Sequence, residues 1–174
     1  TYFFSDVGTV KAVDGVSFDI PKCSTVGVVG ESGCGKSVTS LSLMQLLQRP
    51  SGQTVGGEIR FNQDDGTALN IVNTPTAKMQ EIRGKEIALI PQNPTESLNP
   101  IRRIGKQLTE CMNVHGNKDK RLADTRRDEF LRRFGFPDPD RINRAYSFQL
   151  SGGMNQRVIS AMGLMNRPKW VIAD

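Results

Sequence analysis

Lys36 and Ser37 end the run G-E-S-G-C-G-K-S at residues 30–37, and the types and spacing in that run suit one task. It fits G-x-x-x-x-G-K-[ST], a phosphate-binding loop. Gly30, Gly33 and Gly35 let the backbone turn tightly enough for successive N–H groups to face one anion. Ser32, Cys34 and Val38 belong to the same cradle. The ammonium of Lys36 is expected to reach the β- and γ-phosphates of a nucleotide, and the Ser37 hydroxyl to ligate Mg²⁺. The plain alternative is a glycine-rich turn that happens to precede a helix.

Three further features carry chemistry. L-S-G-G-M at residues 150–154 puts Ser151, Gly152 and Gly153 where a helix should begin, which makes a second anion cradle in one chain. An N-cap with a flexible start explains it equally simply. W-V-I-A-D at 170–174 is an apolar strand ending in Asp174, a carboxylate suited to holding Mg²⁺ beside the loop serine. Gln92 follows Pro91 at the end of another apolar run, where its amide can reach Mg²⁺ or a water.

These residues need elements to position them. Residues 24–29 (S-T-V-G-V-V) predict a buried parallel strand feeding the loop. Apolar positions 38, 41, 43, 44, 46 and 47 predict a helix behind it over 38–47. The chain begins in a strand at Tyr2-Phe3-Phe4, turns over 5–9, and alternates from Val16 in a half-buried strand over 10–20. Residues 57–62 alternate before the turn signal Asp64-Asp65-Gly66, so an antiparallel sheet should flank the phosphate-binding core. A short helix is expected at 76–82 and a core strand at 86–90. Helical stripes follow at 101–115 and at 118–134, the latter with Leu122, Phe130, Leu131 and Phe134 on one side. Residues 140–145 add a turn of helix, 152–166 a helix capped by Ser151, and 169–173 a last strand. The division that follows is a nucleotide-binding core with its antiparallel subdomain at 1–96, a helical subdomain at 97–150, and a return to the core at 151–174.

The 174 residues suffice for one α/β domain with an appended subdomain. With 24% charged and 37% hydrophobic residues the composition is that of a folded soluble chain, and no apolar run approaches the roughly 20 residues that span a bilayer. Cys23, Cys34 and Cys111 are odd in number and widely spaced, which argues for reduced thiols and against a zinc site. Cys34, beside Lys36 and a helix start, is either the most reactive of the three or a small buried filler. The net charge of +5 resides in residues 101–144, which hold twelve Lys/Arg against seven Asp/Glu. Acidic lipid or an acidic partner would fit that segment, as would a solvated helical face. It lacks the interleaved aromatics of a base-stacking surface, so no nucleic-acid partner is expected.

In this order, the phosphate loop, Gln92, L-S-G-G-M and W-V-I-A-D make the whole chain resemble the ATP-binding subunits of ABC transporters. The words R-G-K-E-I-A-L-I-P-Q-N-P-T-E-S-L-N-P, K-A-V-D-G-V-S-F-D-I-P-K and S-G-G-M-N-Q-R-V resemble the oligopeptide/dipeptide/nickel importer branch. The resemblance implies an α/β fold of ABC ATPase type, a phosphate-loop core with a small antiparallel β subdomain and an inserted helical subdomain. It implies ATP and Mg²⁺ as cofactors, with Ser37, Gln92 and Asp174 at the metal and Lys36, Gln92 and Asp174 serving hydrolysis. Phe3 would stack on adenine, with Tyr2 or Phe4 as neighbours. Ser151, Gly152 and Gly153 would bind the γ-phosphate of ATP held by a second subunit in a head-to-tail dimer, which explains two cradles in one chain. The expected partners are that subunit, membrane permease subunits met by the helical block, and indirectly a solute-binding protein, at the cytoplasmic face of the membrane.

Departures from the family pattern are Cys23 for a usual glycine, Asn155 for a basic residue or glutamine, and Pro91 for a frequent phenylalanine. The family's general-base glutamate would follow Asp174, where the sequence stops. The chain therefore reads as truncated at both ends, incomplete at its C-terminus and by itself a weak hydrolase. His115, the single histidine, lies in the helical block and is read as structural or solvent-exposed. A nucleotide-binding module without turnover and a non-transport ABC ATPase are the rival readings.

Overall fold

In the computed structural model, which describes residues 1–116 and 119–174, the apolar start of the chain forms a hairpin. Strand β1 (Tyr2–Ser5) pairs antiparallel with β2 (Gly8–Lys11), from Tyr2↔Lys11 to Ser5↔Gly8. The turn is two residues long, and the Ser5 hydroxyl donates to the Gly8 carbonyl at 3.0 Å. The chain separates into two compact units, Thr1–Met79 and Gln80–Asp174.

In the first unit, helix α1 (Lys36–Leu43) follows the glycine loop, and β3 (Gly52–Gln53) pairs with the other edge of β1. Strands β4 (Arg60–Asn62) and β5 (Ala68–Asn70) form a second hairpin at the expected turn. There Gly66 has φ +82°, and the Asp65 carboxylate accepts the Thr67 N–H and hydroxyl. The amide of Gln45 donates to the carbonyls of Ile71 and Thr74, tying the end of α1 to the buried Ile71. Helix α2 (Thr76–Ile82), which carries the chain from the first unit into the second, has the predicted bounds.

Three expectations in this unit are overturned. Residues 24–29 make no strand ladder with any described residue, and Val26, Val28 and Val29 are 42%, 57% and 96% exposed. Residues 12–20 likewise stay outside every strand, with Val16, Phe18 and Ile20 exposed, so β2 is four residues rather than an eleven-residue strand. The residue types favour extended backbone, but a strand also needs a neighbour for its N–H and C=O groups, and local sequence does not supply one. The β1 and β4 hairpins are consequently separate sheets. Finally, α1 stops at Leu43 rather than Leu47, because Gln45 takes a left-handed φ of 49° and Leu46 is left exposed.

In the second unit, β6 (Ile87–Ile90) pairs parallel with β7 (Trp170–Ala173), from Ile87↔Trp170 to Ile90↔Ala173. Between them run α3 (Pro94–Ser97), α4 (Ile104–Asn113), α5 (Lys120–Arg133), α6 (Pro139–Arg144) and α7 (Gly152–Leu164). Leu108, Met112, Leu131, Val158 and Met165 form the fully enclosed centre. The caps are legible in sequence. Asp119 accepts the Arg121 and Leu122 N–H groups, and Asp138 accepts that of Arg141, with Pro139 opening α6. Each such cap contributes about 1 kcal/mol.

The predicted helix over 118–134 starts at Lys118, which lies outside the described residues. Its stripe is shifted: Phe130 and Leu131 are buried, whereas Leu122 is 49% exposed. Ile101 is also solvent-facing, since α4 begins only at Ile104. Gln107 holds the preceding loop instead, with its buried amide accepting the Asn99 N–H at 2.9 Å and donating to the Asn99 and Arg102 carbonyls. No helix among the described residues is long and apolar enough to cross a membrane.

Candidate functional site

The candidate residues fall into two sets, one in each unit. In the first, residues 30–37 curl into a closed loop. The Cys34 N–H donates to the Glu31 carbonyl at 3.3 Å, and Gly33 and Gly35 have φ of +81° and +96°. At two of the glycines a side chain would also meet a neighbour. A Cβ on Gly30 would lie 2.5 Å from Cys34 Sγ, and one on Gly35 would lie 2.5 Å from the Ala12 carbonyl oxygen. Sequence reasoning missed Ala12, and nothing local could have found it, because the contact is made by backbone 23 residues away.

The ammonium of Lys36 bends back over the loop. It donates to the carbonyls of Gly30 at 2.8 Å and Glu31 at 2.7 Å, and lies 3.7 Å from Cys34 Sγ. Gly35 is the N-cap of α1, no side chain caps that helix, and its first turn holds no acidic residue. The partial positive charge of the helix start thus lies behind the loop with no carboxylate of its own first turn to offset it. Ser32, Ser37 and Val38 complete the loop and the first turn. This is a cradle that fits a phosphate anion: backbone donors, one cation on a long side chain, and glycines where the backbone turns.

Phe3, expected at the adenine ring, is half-buried on β1, and its ring covers Gly52: a Cβ there would meet Phe3 Cε1 at 2.8 Å. Strand alternation sends Tyr2 and Phe4 to the other face, where the Tyr2 hydroxyl donates to Asp14 at 3.0 Å and Phe4 is 41% exposed.

In the second unit the parallel register brings two candidates to one end of the sheet. Ile90 and Ala173 are paired, and the Asp174 N–H donates to the Ile90 carbonyl at 3.0 Å. Gln92, exposed two residues past Ile90, therefore leaves the sheet at the same edge as Asp174. Beside it, the Asn93 amide donates to Glu96 at 2.7 Å, a local clasp that sequence reasoning missed. Helix α7 lies against β6 closely enough that a Cβ on Gly163 would sit 3.3 Å from Ile90 Cγ1.

At the start of α7, Ser151 is the N-cap and its hydroxyl accepts the Met154 N–H at 3.3 Å. Gly152 and Gly153 are exposed, and a Cβ at either would meet nothing within 4 Å. Asn155, beneath them, is buried and donates to the Ser147 carbonyl at 3.0 Å. Among the described residues no cluster of three or more His, Cys, Asp or Glu forms a metal site. Ser37, Gln92 and Asp174 offer the hard oxygen donors that Mg²⁺ prefers, and Mg²⁺ usually takes only one or two protein ligands beside phosphate and water. Of the thiols, Cys34 is exposed, while burial and the neighbouring Glu110 carboxylate push that of Cys111 up to about 11.

A family model described as "ABC transporter" matches residues 13–174. The oligopeptide transport ATP-binding protein AppD of Bacillus subtilis is 44% identical over 174 residues, all of this chain and 52% of that protein. The probable peptide ABC transporter ATP-binding protein y4tR of Sinorhizobium fredii is 38% identical, over all of this chain and 50% of that protein. The chain thus spans about half the length of the curated relatives it matches. Among solved structures, the dimeric bacterial ABC transporter cassette MJ0796 superposes with a TM-score of 0.84 at 22% identity, covering 99% of this chain and 69% of that one. That likeness shows the fold, an α/β ABC cassette.

Proposed function

This chain belongs to the ABC transporter family, and on that premise we propose that it forms the ATP-binding and hydrolysing part of a subunit that powers import of peptides or a related small solute. The observation that carries the reading is the closed, uncapped glycine loop at residues 30–37 ahead of α1. The names of the relatives, oligopeptide and peptide transport proteins, support the solute class.

In this reading the loop amides and Lys36 hold the β- and γ-phosphates, with Lys36 exchanging the Gly30 and Glu31 carbonyls for phosphate oxygens. Phe3 or its strand neighbours border the base. Mg²⁺ held by Ser37, Gln92 and Asp174 would neutralise charge on the phosphate oxygens. Gln92 orients the attacking water and links it to the helical block at 97–150, which meets the permease. Ser151, Gly152 and Gly153 face the nucleotide of a second, head-to-tail subunit. The open space over the two glycines supports this: nothing in their own chain needs them to be glycine, whereas a phosphate approaching from outside does. The assembly would sit at the cytoplasmic face of the membrane, supplied by a solute-binding protein.

The test uses the full-length protein with its permease in vesicles. Ser151→Arg should leave ATP affinity of the isolated subunit within about twofold, because no in-chain contact to that nucleotide is lost, while peptide-stimulated turnover of the assembled transporter disappears. Loss of ATP affinity in the isolated subunit, or full turnover in the assembly, would contradict the role across the dimer. Turnover that no peptide stimulates would rule out peptide as the solute.

A further inference from the structure

The cleft between α4, α5 and α6 contains none of the residues assigned to the nucleotide, and its lining is mainly cationic. It is an open depression of about 700 Å³, lined by five cations, Arg102, Arg103, Lys106, Lys120 and Arg127, against the carboxylates of Glu110 and Asp124. Both carboxylates are already engaged. Glu110 accepts from Arg102 at 2.5 Å, and Asp124 accepts from Arg127 at 2.6 Å. Arg103, Lys106 and Lys120, all exposed, have no anionic partner among the described residues. Three like charges around one hollow repel one another, and the fold gains nothing by gathering them there.

The floor of the cleft is held by ion pairs, hydrogen bonds and close packing. The Arg127 side chain is only 15% exposed and also donates to Asp128 at 2.9 Å, and the Asn143 amide donates to the same Asp128 oxygen. Helices α4 and α6 approach so closely at Gly105 that a Cβ there would sit 2.9 Å from Asn143 Cβ. Uncommitted cations thus stand around a fixed, polar base that also presents the Thr109 hydroxyl, which receives Arg127 at 3.4 Å.

We propose that this cleft binds a phosphate-bearing anion through Arg103, Lys106 and Lys120. A compact, multiply charged group matches three cations lining one hollow, and the hollow is large enough for a phosphorylated headgroup or a small soluble phosphate. The site lies outside the phosphate loop and does not depend on the proposed transport role.

The test uses full-length protein carrying Lys36→Ala, so that the phosphate loop does not compete. Two probes are measured at low salt: inorganic pyrophosphate by calorimetry, and flotation with vesicles of phosphatidylcholine and phosphatidylglycerol at three to one. Binding of at least one probe is expected, weakening as salt rises. Adding Arg103→Gln, Lys106→Gln and Lys120→Gln together should reduce it roughly tenfold or more, since each charge-assisted contact contributes substantially. A control with the same charge loss elsewhere, Lys22→Gln, Arg49→Gln and Lys85→Gln, should bind as before. Pyrophosphate alone assigns a soluble phosphate, and vesicles alone assign a lipid headgroup. The proposal fails if neither probe binds, or if the control loses as much as the cleft variant.

Discussion

The two glycine turns of this chain look alike in sequence and differ in what requires their glycines. At residues 30–37 the requirement is internal: Gly33 and Gly35 are left-handed, and Gly35 has no room for a Cβ beside the Ala12 carbonyl. At Ser151–Gly153 neither glycine has a positive φ, and each faces open space. The N-cap of the helix behind the first turn is a glycine with no side chain to cap it, whereas the second is capped by its own serine. A turn whose glycines serve its own backbone is built to close on something by itself. One whose glycines serve nothing in its own chain leaves room for an approaching surface.

The comparison breaks most sharply at Lys36. Lys36→Ala should weaken ATP binding tenfold to more than a hundredfold, because a charge-assisted contact to phosphate contributes ~1.5–3 kcal/mol. Unchanged affinity by equilibrium titration would remove the first turn from nucleotide binding altogether. No single change in the second turn should affect the isolated subunit comparably.

Paired alanine substitutions test the glycines directly. Gly35→Ala should destabilise the chain by about 1–2 kcal/mol from the left-handed backbone alone, and by more once the Ala12 oxygen is displaced. Gly153→Ala should be neutral or stabilise by up to about 0.5–1 kcal/mol, the helix preference of alanine over glycine. Denaturant melts of the two variants read the contrast, and equal losses in both would erase it. In the assembled transporter, Gly153→Ala should nonetheless slow turnover.

The thiols sharpen the same contrast with the smallest effect. Cys34, exposed in the first turn beside Lys36, should react with a maleimide at neutral pH several-fold faster than Cys111, and Mg-ATP should slow it. Cys111 stays protonated because burial favours the neutral thiol. Its stabilising contribution is complete below the ordinary thiol range and falls away as the pH climbs through about 11. Timed labelling with mass spectrometry decides both points: equal rates, or no nucleotide protection, would mean that the loop thiol is inert. A Cys111→Ala variant should lose part of the alkaline decline in stability.

Features set by neighbours in sequence are legible in the residue types themselves. The loop at 30–37, the cap at Ser151, the stop at Pro91, the helix start at Pro139 and the helix Thr76–Ile82 each depend on residues a few positions apart. Turn glycines, capping hydroxyls and apolar periodicity act over that range, so residue types alone specify them. The features decided elsewhere depend on distant partners. Whether Val26, Val28 and Val29 join a sheet depends on a strand neighbour, and Leu122 and Ile101 face solvent because the packing of α4 and α5 turns other residues inward. Gly35 answers to Ala12, and the parallel pairing of Ile90 with Ala173 brings Gln92 and Asp174 to one sheet edge across 82 residues of chain. A backbone hydrogen bond or a buried contact has two ends. Sequence specifies the chemistry of each, and only the folded chain decides which two meet.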